Sequence, residues 1–189
     1  MFSVYFSAAV LVALLLCQFL PWVSGRRISS VSKNAFWGAF VVLVFYYFYL
    51  VYGQYLAWRD GGEILKHLVP PYRSIAYVFG YHFTRFALYY LISFAAALVF
   101  LWVARYFNAK FGGRFFEDEE PYLGALAIML LGDPLWRYAW IYYLLLILAA
   151  AVAGSLFTSR LLKKNERFSL RYLWLPAAIS VIIVLIILY

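Results

Sequence analysis

Four of the eight carboxylates in the chain stand in one run, Glu117-Asp118-Glu119-Glu120, directly before Pro121. Carboxylates this close can act as general acid and base or gather a cation, provided some of them are drawn out of water. The run also has a purely structural reading: acidic side chains in the first turn of a helix face its positive end, and proline suits the first helical position. Other chemistry-bearing residues are scattered. His82 and Arg85 sit at helical spacing, with Thr84, Asp60 or Glu63 as candidate partners for the arginine, although a snorkelling arginine in an aromatic belt explains them equally. Asp133 stands in Gly132-Asp133-Pro134 between two apolar runs. No Gly-rich phosphate loop, metal-spaced histidine pair or serine nucleophile elbow occurs, so neither a cofactor nor a metal is expected. Cys17, the single cysteine, lies in an apolar run and reads as a small membrane-facing or packing residue.

The elements that must position these residues are dictated by an unusual composition. Of 189 residues, 67% are hydrophobic, 23% aromatic and 13% charged, and the mean hydropathy is +0.84. A water-soluble domain has about 25% charged residues, so this chain has too little polar surface to face water all round. Disordered, collagen-like and disulfide-rich classes are excluded by the same numbers. The expected class is all-α, a polytopic integral membrane protein forming a single membrane domain. A spanning helix needs about 20 mostly apolar residues. Spans are expected at Val4–Val23, Ala35–Trp58, Ile75–Ala104, Tyr122–Leu135, Tyr138–Leu156 and Tyr172–Leu188. The fourth and fifth form a short hairpin, because Asp133 and Pro134 interrupt what is otherwise one long apolar run. Trp22, Trp58, Trp136, Trp140 and Trp174 fall near the expected interfaces and read as an aromatic belt.

The net charge of +8 becomes an orientation once it is distributed over the loops. With the Arg26/Arg27 loop inside, eleven basic residues lie on inner loops and four on outer loops, leaving Arg85 within a span. The excess of inner Lys and Arg places both termini outside the cytoplasm, in a cell inner membrane. No basic stretch has the length or aromatic interleaving of a nucleic-acid groove, so the expected partner is the lipid bilayer and not nucleic acid. The first apolar run lacks a basic residue before Arg26, which favours a retained helix over a cleaved signal peptide.

The segment Gly113 to Pro134 resembles the membrane-embedded peptidase domain of type IV prepilin peptidases. In that family a basic and aromatic stretch leads to a Gly-x-Gly-Asp-x-Lys motif, then a short apolar helix, a Gly-x-Pro turn and another span. Aligned without gaps, Gly132 and Pro134 match the turn, and Leu123-Gly124 match the start of the short helix. Glu120 then falls on the second catalytic Asp, Tyr122 on the Lys, and Glu117 and Glu119 on the glycines. Ser24-Gly25-Arg26-Arg27-Ile28-Ser29 is similar to the stretch after the family's first peptidase-domain span, with Ser24 in place of the first catalytic Asp. The resemblance implies an aspartic peptidase scaffold acting on pilin-like precursors. An aspartic peptidase needs two carboxylates sharing a proton and a water, and Ser24 cannot be one. The expected function is therefore that of a non-catalytic or altered relative, used for binding or assembly in the membrane. If hydrolysis is retained, Glu120 is the position that carries it, with Glu117, Asp118 or Glu119 as substitute partner. A third reading, a small transporter or channel subunit, rests on Arg85, His82 and Asp133.

Overall fold

The computed structural model describes residues 2–20, 25–113, 115–161 and 170–188. Among them there is no strand. The elements are α1 (Phe2–Phe19), α2 (Gly25–Arg59), α3 (Glu63–Lys66), α4 (Ala76–His82), α5 (Leu88–Lys110), α6 (Glu120–Leu130), α7 (Ala139–Leu161) and α8 (Trp174–Leu188). A π-helical turn, Phe83–Ala87, joins α4 to α5 without a break. Four helical bodies are long and apolar enough to cross a membrane: Phe2–Phe19, Ile28–Arg59, Ala76–Lys110 and Ala139–Phe157. With 11 and 15 residues, α6 and α8 fall short of the roughly 20 that a lipid-facing helix needs.

Large apolar side chains line the outside of the helices as well as the core, and several polar ones are turned inward. In α1 the buried residues are Ser3, Val4, Ser7, Leu11, Leu14 and Gln18, spaced by threes and fours, so the helix turns its few polar side chains inward. Its Leu16 and Phe19 are exposed. In α5 the buried stripe is Tyr90, Ser93, Ala97, Leu101 and Ala104. Small and hydroxylated residues at an interface let helix backbones approach where lipid supplies the apolar surroundings.

Helix α6 is the core. All 11 of its residues are buried, enclosed by α2, α5, α7 and α8. Gly124 makes this enclosure possible: an added Cβ would stand 2.7 Å from Phe100 Cε1 and 2.8 Å from Trp174 Cζ3. Because protein rather than lipid surrounds α6, its length is not bound by the hydrocarbon thickness, and about 16 Å suffices. The helix in the place of the expected fourth span ends at Leu130, short of Leu135.

Two other boundaries differ in an instructive way. The segment from Gly25 to Lys33, expected as a loop, is the opening of α2, where Ser32 Oγ donates to Ile28 O at 2.8 Å. The third body runs on to Lys110. Each of these two bodies, α2 and residues 76–110, has 35 residues, about 52 Å at helical rise, well beyond a hydrocarbon layer of about 30 Å. Together they form a long hairpin whose far end has its own small core of Val51, Trp58, Val69 and Val78. The tryptophan belt is corrected as well: Trp58, Trp136 and Trp174 are buried within the protein, while Trp22 lies outside the described residues.

Candidate functional site

The acidic run is held in place from three directions. Asn108, in the last turns of α5, accepts the Phe115 and Phe116 N–H groups at Oδ1 (3.1 and 2.9 Å) and donates from Nδ2 to Phe116 O (2.7 Å). Ser29 of α2 donates its hydroxyl to Asp118 O at 3.3 Å. Arg171, just before α8, brings Nε to 3.0 Å from Glu119 Oε1 and Nη1 to 3.5 Å from Glu117 Oε2. The Arg171–Glu119 approach is off-axis, an ion pair by distance rather than an aligned hydrogen bond. Gln18 of α1 in turn donates to Arg171 O at 3.3 Å.

The four sequence candidates are therefore not equivalent. Asp118 is exposed and Glu117 half-buried. Glu119 and Glu120 are 3% and 0% exposed. Glu120 opens α6; its Oε2 accepts the Glu117 N–H at 3.2 Å, and its own N–H donates to Glu117 O at 3.2 Å, closing a turn just ahead of the helix. The structure brings Glu117, Glu119 and Glu120 together around one helix N-terminus, where negative charge is favoured. Ser24 lies outside the described residues, but Ser29 places the start of α2 against this segment. Tyr122, at the position where the resembled family has lysine, accepts a hydrogen bond from Arg105 Nη2, and the same guanidinium lies over its ring at 4.9 Å. Sequence reasoning missed Arg171, Arg105 and Asn108, because each reaches the site from another helix end.

At the opposite end of α6, Asp133 is buried, with 3% exposure. Its Oδ1 accepts the Leu135 N–H at 2.9 Å and its Oδ2 accepts the Tyr90 hydroxyl at 3.0 Å. Ser7 of α1 donates to Leu130 O (3.2 Å), and Ser93 of α5 donates to Met129 O (3.1 Å). The signal for this cluster was present in the sequence as hydroxylated residues spaced three or four apart on apolar helices: Ser3 with Ser7, and Tyr90 with Ser93.

His82 and Arg85 do not join either cluster. Arg85 is exposed and stacks over Tyr81 at 4.5 Å, while Thr84 Oγ1 bonds back to Gly80 O and Tyr81 O. Asp60 instead pairs with Arg59 at 2.8 Å, and this hydrogen-bonded guanidinium holds the Asp60 carboxyl below its ordinary range. Among the described residues no group of three or more His, Cys, Asp or Glu side chains could hold a metal ion.

No family model matches the chain, no curated protein matches it, and no solved structure matches it.

Proposed function

We propose that this protein is a non-hydrolytic membrane protein with a prepilin-peptidase-like helix order, in which the acidic segment clasps the bundle and the scaffold serves binding or assembly of membrane partners. The observation that supports the reading is the commitment of the buried carboxylates. Two acids that share a catalytic proton must face each other across a water. Here Glu119 and Glu117 face the Arg171 guanidinium, and Glu120, wholly enclosed, accepts the Glu117 backbone N–H. A peptide bond has no open path to Glu120 in this arrangement, since every residue of α6 is buried.

The test is co-expression with a pilin-like precursor carrying a basic leader. Wild type and Glu120→Gln should leave the same uncleaved precursor. Cleavage by wild type that disappears in Glu120→Gln would restore the peptidase reading. For the assembly role, purification in mild detergent should recover a specific complex, and recovery of monomer alone would count against it.

A further inference from the structure

The Asp133 cluster holds a buried carboxyl group with no basic partner among the described residues. Asp133 is enclosed in the bundle, and among the described residues no Lys, Arg or His forms an ion pair with it. Its two hydrogen-bond donors, the Tyr90 hydroxyl and the Leu135 N–H, are neutral. Arg137, the nearest basic residue in sequence, is exposed. The surroundings add negative potential instead of relieving it. Leu130 ends α6, so the carbonyls of Met129 and Leu130 belong to the negative end of a helix pointing at the same place. Ser7 and Ser93 donate to those carbonyls at 3.2 and 3.1 Å. The cleft of about 250 Å³ that opens onto Tyr90 and Met129 is lined by aliphatic and aromatic side chains such as Phe40, Leu43, Phe86 and Leu91 and brings no further charged group to the cluster.

A buried carboxylate beside a helix C-terminus is costly unless a cation joins it. The available donors are all oxygens: carboxylate, phenol, serine hydroxyls and helix-end carbonyls. That set suits a hard cation of single charge, in the way that broken helix ends inside membranes hold sodium. We propose that Asp133, Tyr90, Ser7 and the C-terminal carbonyls of α6 form a sodium-binding site. Ser93 stands beside it and, through its contact with Met129 O, holds the helix end.

The experiment is thermal unfolding of the purified full chain in detergent, titrated with sodium chloride against choline chloride at constant ionic strength. Sodium should raise the midpoint along a saturating curve, since a ligand that binds only the folded state stabilises it by mass action. Asp133→Asn, which keeps the side chain's shape and an oxygen for the Leu135 N–H, should abolish the sodium response. Tyr90→Phe should weaken it, and this variant serves if Asp133→Asn does not fold. Equal midpoints in sodium and choline for wild type overturn the proposal. So does an infrared carboxylic-acid band that persists in saturating sodium and is lost in Asp133→Asn, because the charge is then removed by a proton.

Discussion

At the scale of single residues, two buried polar groups make opposite predictions. Arg171 reaches into the acidic segment from outside α6 and stands at 3.0 Å from Glu119, whose side chain is 4% exposed. Removing it leaves that buried carboxylate facing fewer charges than the fold was built around. Arg171→Ala should therefore lower stability by about 1–3 kcal/mol, the usual cost of stranding a buried polar group, read as a lower unfolding midpoint in detergent. A midpoint equal to that of wild type would show that the clasp contributes nothing. Tyr143 of α7 is the converse case. Its ring is wholly buried, 6.4 Å from that of Trp174, and its hydroxyl has no hydrogen-bond partner among the described residues. Tyr143→Phe deletes the stranded group while keeping the packing, and should raise stability by about 1 kcal/mol. A loss of stability on that substitution would reveal a partner for the hydroxyl.

At the scale of elements, the turn after α6 depends on one glycine. A Cβ on Gly132 would stand 1.9 Å from Ser93 Oγ and 2.6 Å from Ser93 Cβ, so α5 and the end of α6 meet backbone to side chain. Gly132→Ala should destabilise by about 1–3 kcal/mol through overpacking, and Ser93→Gly in the same chain should recover part of the loss. Additive losses in the double variant would place the strain elsewhere. The same turn shows what was legible in the sequence. Gly132-Asp133-Pro134 announced a break between two apolar runs, and the break is there. Its neighbourhood was not legible, because composition places a lone Asp between apolar runs at a watery turn, whereas the Tyr90 hydroxyl and the Leu135 N–H supply the hydrogen bonds inside the protein. The helices themselves were readable from hydropathy, but their ends were not. Apart from Ile28 and Val31, Arg26 to Lys33 are charged or polar, and none of them is a helix breaker, so α2 simply begins earlier than its apolar stretch. The acidic run was visible as chemistry, yet Arg171 was not visible as its partner, since only the approach of α8 to α6 sets them together.

At the scale of the whole molecule, the prediction is that the short core helix carries the chain across the bilayer, giving six crossings, and does not turn back within it. Two contacts of α6 with α5 are the basis for predicting a crossing. The start of α6 is tied to Arg105 through Tyr122, and its exit is tied to Tyr90 through Asp133. Along α5 those two levels are separated by about 22 Å at helical rise. The segments flanking α6 on each side, Phe115 to Glu119 and Asp133 to Tyr138, need add only a few ångströms more to match a hydrocarbon layer of about 30 Å. Single cysteines placed in a Cys17→Ala background decide it. Leu135→Cys, exposed just after the turn, should react with a membrane-impermeant maleimide from the same side as Lys66→Cys at the tip of the long hairpin. Lys110→Cys, at the acidic end, should react only after the membrane is permeabilised. If Leu135→Cys shares the protection of Lys110→Cys, α6 is re-entrant. The inner excess of basic residues would then be lost, and with it the orientation assigned to both termini.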